Sequence, residues 1–425
     1  MKTRKLNRRE FLKIGAVSTA GLAAAASGIG TAAAKKPSIR RRMFQGTTTV
    51  TLIDPWAATG FNAAQEAQIQ RFNDSHPNIQ IERSAVNFDD FVQLLVQGAA
   101  AGELPDIALI DNPNFHGFAA LGVLENITDH INGWGEADLY FPGHWGSTVF
   151  EGVNYGIPVF SNCLAWWMNT DMQAEAGVTT PTTWEELRSA AQSLTTREHY
   201  GSVVSARHTE EGSFQFEVFL WSAGSDLASI NDEGGQRALQ LWVDLVNNGN
   251  MSQGILGLGQ WAAKDEFGNR RAAMMLNGPW CINDMRASYP DVNWTVSAVP
   301  QDQVAASILG GENYGITKDS ANVDAAWEYI AWTQEPENYR QFIQDAGMFP
   351  SRSDVAEDPY WTDDPVLSVF LDQLKVARAR AYGANYTEMS NAIQDAMQAA
   401  LTGQRSVQDA LDRAADIITP LLPSA

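Results

Sequence analysis

At 425 residues, 44% hydrophobic and 19% charged, the chain is too long for a typical single core and too apolar for bulk disorder, so two lobes of a soluble globular protein are expected. It carries 29 Lys and Arg against 50 Asp and Glu, a formal net charge of −21. Such a surface repels nucleic acid and stays in solution; it says little about a neutral ligand, and adaptation to salty surroundings would give the same balance.

The amino end stands apart. Asn7-Arg8-Arg9-Glu10-Phe11-Leu12-Lys13 precedes an Ala- and Gly-rich run from Ile14 to Ile29, and Ala32-Ala33-Ala34 offers small residues to a signal peptidase. The paired arginines followed by Phe-Leu-Lys resemble the twin-arginine export signal. An uncut membrane anchor is the alternative, against which the run is short and rich in Gly, Ser and Thr. No Cys lies near the cleavage site to carry a lipid. Residues 1–34 hold six basic residues and one acidic residue, and five more basic residues crowd the following linker, so the body is more acidic than the whole. Two cysteines, Cys163 and Cys281, remain in the exported part, where an oxidising compartment permits either a disulfide or two small buried thiols.

The body opens with a β-rich run from Thr47 to Ile53, closed by Asp54-Pro55-Trp56. From Phe61 to Asn73 apolar residues recur at roughly helical spacing, and His76-Pro77-Asn78 ends that helix before a second strand, Ile79-Gln80-Ile81. Phe88 to Ala101 makes the next helix, and Asp106 to Ile110 is a buried-strand pattern. Strand, helix, strand begins a doubly wound sheet. Asp111-Asn112-Pro113-Asn114 then reads as a polar loop on the crevice side.

Further on, Tyr155-Gly156-Ile157-Pro158 runs through Phe160-Ser161-Asn162 to Met168-Asn169-Thr170-Asp171. Pro181-Thr182-Thr183-Trp184-Glu185-Glu186-Leu187 follows, where Thr182 or Thr183 can cap a helix with Glu185 or Glu186 at its positive end. Ser213 to Ala223 gives an aromatic helix that is mostly core, with Glu217 expected on a solvated face rather than in a cleft. Gly234 to Asn248 is an amphipathic helix. Ala272 to Leu276 is a short apolar strand stopped by Asn277-Gly278-Pro279, which leaves Trp280 just beyond a strand end. A flat side chain on a rigid turn there can face a ligand; with 14 Trp in the chain, simple packing is the alternative. Trp294 to Val299 is a strand, and Gly310-Gly311-Glu312-Asn313 sets paired glycines where close approach and hinge-like changes are allowed. Two helices, Val323 to Trp332 and Glu337 to Asp345, lead to Gly347-Met348-Phe349-Pro350-Ser351-Arg352, and two more, Asn385 to Gln398 and Ser406 to Ile418, end the chain.

These segments, in this order from about Thr48 to Ile418, resemble the maltose-binding-protein-like receptors of extracellular solute-binding protein family 1, the substrate-capture subunits of ABC importers. The resemblance rests on Pro105-Asp106-Ile107, Gly156-Ile157-Pro158, the Met168 to Asp171 step, the capped Pro181 to Leu187 segment, Asn277-Gly278-Pro279-Trp280, Gly310 to Ile316 and Gly347 to Arg352. It implies an α/β fold of the two-lobed periplasmic-binding-protein type II, with the ligand cleft between lobes joined by hinge crossings. Behind a signal peptide at 1–34 and a basic linker at 35–46, residues 47–158 and 313–356 would form the N-terminal lobe and 159–312 and 357–425 the C-terminal lobe.

In that family the tryptophan of Asn-Gly-Pro-Trp packs on a sugar ring. Maltose-type relatives supply Asp and Arg from the loop matching Asp111 to Asn114, where this chain has Pro113 and Asn114; the loop stays polar without those charges, and the identity of the sugar does not carry over. Arg352 is read as closing a structural ion pair, with contact to a ligand hydroxyl or carboxylate as the alternative. Tyr386 is read as substituting for a tryptophan early in the penultimate helix of some relatives. The candidate ligand-binding residues are Trp56, Asn112, Asn114, Phe160, Ser161, Asn162, Trp280, Gly311, Glu312, Asn313, Arg352 and Tyr386.

No segment supplies a rival chemistry: there is no G-x-S-x-G elbow, no Walker loop and no G-x-G-x-x-G after a strand, and the six His are scattered. No catalytic residue, metal or cofactor is expected. The resemblance implies the substrate-binding component of an ABC importer that captures a mono- or oligosaccharide and presents it to membrane permease subunits. A monomer, exported to the periplasm or the outer face of the cytoplasmic membrane, is expected, without nucleic-acid partners. Two other classes remain. A receptor for a polyamine or organic acid would show a cleft lined by Asp and Glu for the cation, or Arg352 engaged for the anion. A secreted glycosidase would need two carboxylates facing across one cleft, and the expected cleft segments present no obvious pair.

Overall fold

The structure, a computed structural model, describes residues 46–57 and 61–423. The expected signal peptide and residues 35–45 of the linker lie outside the described residues. Among the described residues, no helix is long and apolar enough to cross a membrane.

Two sheets organise the chain. In the first, β1 (Thr48–Asp54), β2 (Ile79–Ala85), β3 (Ile107–Asp111), β6 (Gly156–Pro158) and β11 (Glu312–Ile316) run in the order β2-β1-β3-β11-β6. β1 pairs in parallel with β2 and β3, while β11 is antiparallel to β3 and β6. β3 has four consecutive fully covered apolar residues, the pattern of a strand buried on both faces. β2 runs four residues past the expected end because all seven residues of β1 find partners along it. Helices Phe61–Ser75, Val323–Thr333 and Pro336–Ala346 belong to this lobe, packing on one another and on β1 and β11. β4 (Val149–Phe150) and β5 (Val153–Asn154) form a small hairpin beside it.

The second sheet has the order β8-β7-β9, with β7 (Ala165–Asn169) between β8 (Met274–Asn277) and β9 (Trp294–Ser297), all antiparallel. β8 starts later than expected: Ala272 bridges to Tyr200, whose N–H goes to the Arg271 carbonyl and whose carbonyl accepts the Ala273 N–H, while the Ala273 carbonyl accepts the Asn169 N–H. The helix Trp184–Leu194 opens with a full capping box, Thr183 receiving the Glu186 N–H and Glu186 returning to the Thr183 N–H. β10 (Ser307–Leu309) and β12 (Ala377–Ala379) pair in parallel, and helix Leu367–Val376 packs on β7 and β10.

The two halves meet at a narrow waist. There Ser161 exchanges both backbone hydrogen bonds with Phe349, and Asn162 exchanges both with Gly310. Gly311 has φ +143°, and a Cβ on it would lie 2.2 Å from the Phe160 carbonyl oxygen. Only glycine lets these strands approach so closely. Cys163 and Cys281 are separate, fully buried thiols and form no disulfide.

Candidate functional site

Beside the waist a cavity with about 650 Å³ of open space, part of it at the solvent mouth, is walled by both lobes.

The first lobe contributes aromatic floor and acidic edge. Asp54 Oδ1 accepts the Trp56 backbone N–H at 3.0 Å, turning the chain out of β1. Trp56, 1% exposed, is wedged against Phe61, Phe160 and Phe342 at centroid distances of 4.9, 5.6 and 6.1 Å. Its indole Nε1 lies 3.4 Å from Glu312 Oε1. Asp111 ends β3 and Glu312 begins β11, directly opposite one another in the antiparallel register, so Glu312 stands in the sheet of the first lobe and not in the second lobe, where the expected boundary after residue 312 put it. Burial, reinforced by the Asp111 charge, holds the Glu312 carboxyl well above the usual carboxylate range. Burial also raises Asp111, against the pull of Arg380.

The second lobe brings an arginine set among carboxylates. Glu210 and Glu211 form the first turn of helix Glu210–Ser222, where the helix N-terminus favours negative charge. Arg380, just past β12, is 5% exposed; it pairs with Glu210 through Nη1 and with Asp111 of the other lobe through Nη2 at 3.4 Å. Its guanidinium lies 4.7 Å over the Phe214 ring. Glu211 Oε2 accepts the Gln260 backbone N–H at 3.2 Å, and burial followed by the Asp89 charge pushes Glu211 up to about 7. Glu217, about two turns further along the helix, is fully buried and pushed up to about 8, first by burial and then by Glu210. The expected solvated face for Glu217 does not exist, because Gly212 to Ser222 are buried on every side of that helix.

Trp280 follows β8 as the sequence suggested. Asn277 Oδ1 receives the Gly278 N–H at 2.9 Å, and Pro279 begins a single 3₁₀ turn, Pro279–Cys281. A Cβ on Gly278 would stand 2.0 Å from the indole, so glycine is what allows the ring to lie over its own turn. The half-buried indole faces the cavity 6.3 Å from Phe214.

Of the residues singled out from sequence, Trp56, Asn162, Trp280, Gly311 and Glu312 line the cavity. The others stand elsewhere. The expected loop at Asp111 to Asn114 is the start of helix Asn112–Ala120, because Pro113 fits its first turn. Asn112 therefore gives its backbone N–H to Gly311, and Asn114 accepts a hydrogen bond from Thr387 of the other lobe at 2.9 Å. Phe160 packs behind Trp56, Ser161 uses its backbone at the waist, and Asn313 turns to Ser147 at 3.0 Å. Arg352 is 1% exposed, bonded to Asp354, Glu136 and the Gln334 carbonyl and surrounded by Trp134, Tyr140 and Tyr339; it is not among the residues lining this cavity and forms a structural ion pair. Tyr386 is fully buried with its ring 6.1 Å from Tyr382, and its hydroxyl reaches Glu210 at 2.8 Å and Glu217 at 2.7 Å. It holds the carboxylates rather than offering a stacking face.

Sequence reasoning missed Phe61, Phe88, Asp111, Glu210, Glu211, Phe214, Gln260, Trp261, Gly310, Met348 and Arg380 as wall residues. Three carry a local signal: Phe88 and Gln260 begin helices and Asp111 ends a strand. The expectation of a cleft without facing carboxylates is overturned, since Asp111 and Glu312 line one side and Glu210 and Glu211 the other. Among the described residues, no group of three His, Cys, Asp or Glu could hold a metal ion.

The family described as bacterial extracellular solute-binding protein matches residues 67–368. A binding protein of Brucella abortus (strain 2308) is 22% identical over 381 residues, covering 84% of this chain and 89% of that one. An ABC transporter solute-binding protein from Thermotoga lettingae TMO, solved bound with alpha-D-tagatose, is 26% identical at a TM-score of 0.83, covering 89% of this chain and 100% of that one. Maltose-bound MalE3 of T. maritima is also 26% identical, at a TM-score of 0.82, with 88% and 100% covered.

Proposed function

Because the chain belongs to the bacterial extracellular solute-binding proteins, we propose that its interlobe cavity captures a mono- or oligosaccharide and that the closed, loaded form presents it to the permease of an ABC importer. The similar proteins solved with tagatose and with maltose support a carbohydrate. The observation that carries the reading is the mixture of buried polar atoms at the cavity wall. Glu312 Oε2 and Asn162 Oδ1 are acceptors without a partner, and Arg380 Nε is a donor without one. A sugar hydroxyl donates and accepts at once, so it satisfies both kinds, while the apolar ring faces lie on Trp280 and its aromatic neighbours.

The chain works as a monomer, exported by the twin-arginine route to the periplasm or the outer face of the membrane, and it is not an enzyme. The family to which the chain belongs is one of binding proteins, and two of the four cavity carboxylates, Asp111 and Glu210, are engaged by Arg380. An organic-acid ligand is disfavoured by the same four carboxylates.

Thermal shift against a panel of mono- and disaccharides tests the reading, because a ligand that binds only the folded chain raises its melting temperature. A saturable rise with a sugar is expected. A rise with putrescine or citrate and with no sugar would overturn it.

A further inference from the structure

The cavity holds more negative charge than its protein groups can match. Asp111 and Glu312 come from one lobe, Glu210 and Glu211 from the other, and Arg380 is the single cation among the lining residues. Both Nη atoms of Arg380 are already engaged, by Glu210 and Asp111. Glu312 is left over. It is 7% exposed, its Oε1 has only the Trp56 indole N–H at 3.4 Å, and its Oε2 has no partner. A buried carboxylate in that position asks for a cation or a proton. Burial together with the Asp111 charge disfavours a bare carboxylate at Glu312.

The missing cation is an organic one. Among the described residues no three acidic, His or Cys groups are grouped for a metal ion, so the charge is spread along the cavity instead of focused on one point. An ammonium group donates up to three hydrogen bonds where a hydroxyl donates one, and the aromatic walls at Trp280 and Phe214 accept a neighbouring cation through their ring faces.

We propose that the solute is a carbohydrate bearing a protonated amine, with the ammonium held at Glu312, Glu211 adding to the negative field, and the sugar ring lying against Trp280. This rests on the carbohydrate reading above and narrows its substrate class.

Calorimetry on the mature chain at neutral pH tests it with matched probes: glucosamine against glucose, the glucosamine disaccharide against cellobiose, and putrescine as a cation without a sugar. The amine-bearing member of a pair is expected to bind at least about tenfold more tightly, a difference of about 1.4 kcal/mol. Glu312→Gln should erase the preference, bringing the amine probe and the neutral sugar to within about threefold of one another, with a melting temperature no lower than wild type because the amide replaces a carboxyl whose ionisation burial disfavours. Glu211→Gln provides the same comparison if the first variant fails to fold. Neutral sugars binding as tightly as their amine partners would overturn the amine and leave the carbohydrate reading standing. Putrescine binding while no sugar binds would overturn both. Absence of heat with either amino sugar at millimolar concentration also overturns the proposal.

Discussion

Arg207 Nη1 lies 2.6 Å from Asp89 Oδ2, joining the segment before helix Glu210–Ser222 in one lobe to the first turn of helix Phe88–Ala101 in the other. With the Arg380–Asp111 and Thr387–Asn114 contacts, it ties the two lobes together. Both side chains are partly exposed, 41% and 29%, so the pair contributes about 0–1 kcal/mol. Arg207→Ala is expected to enlarge the radius of gyration of the ligand-free chain in small-angle scattering, leave the loaded chain unchanged, and weaken binding by no more than about fivefold. A free form of unaltered size would show that the pair does not bias closure.

Trp280→Ala should lose on the order of 1–3 kcal/mol of ligand affinity, roughly 5- to 150-fold, with little change in melting temperature, because the half-buried indole faces the cavity. Trp280→Phe should recover part of the loss. Wild-type affinity in the folded alanine variant, measured by calorimetry, would remove the stacking role.

Arg352→Met should act on stability alone. It strips two carboxylates, Glu136 and Asp354, and the Gln334 carbonyl of their partner. Those carboxylates are 38% and 30% exposed, which moderates the cost to about 2–3 kcal/mol in urea unfolding. Ligand affinity of the folded fraction should stay at the wild-type value; a specific loss of affinity would restore Arg352 to the binding residues.

Glu217 makes stability fall as pH rises. Burial lifts its carboxyl from the ordinary 4.5 to about 8, so between those values the folded chain keeps a proton that the unfolded chain has released, and raising the pH favours unfolding. Its contribution is fully favourable below the lower value and is lost progressively up to the upper one. Glu217→Gln should therefore raise the melting temperature more at pH near 8 than at pH near 5. Equal gains at both would mean that Glu217 ionises normally.

Replacing Arg8 and Arg9 with Lys should leave the precursor inside the cell if the twin-arginine signal directs export. Unchanged secretion, followed by cell fractionation, would refute that route.

The frame was legible because its signals are local. Pro105-Asp106-Ile107, the Thr183 and Glu186 cap, and the Asn277-Gly278-Pro279 turn each declare an element within a few residues. The charged half of the cleft was not, because topology assembles it. Arg380 meets Glu210 across 170 positions and Asp111 across 269, and no neighbour of Arg380 in sequence announces either contact. Glu217 differs: a single acid amid Phe214, Phe216, Val218 and Phe219 reads as a solvated face, but a helix buried on every side from Gly212 to Ser222 has no such face to offer. The polar loop expected at Asp111 to Asn114 is a helix start instead, because Pro113 at the first turn has no N–H left to satisfy.

The enclosure of both thiols has a practical side. Cys163 and Cys281 have no accessible surface, and burial keeps both from ionising near neutral pH, so neither will react readily with a maleimide while the chain is folded. A single cysteine introduced at the rim, such as Asp90→Cys on the exposed side of the helix that carries Asp89, would be the only site to take up a fluorophore. The protein thus comes ready to be turned into an optical reporter of its own solute, with its native cysteines left in place.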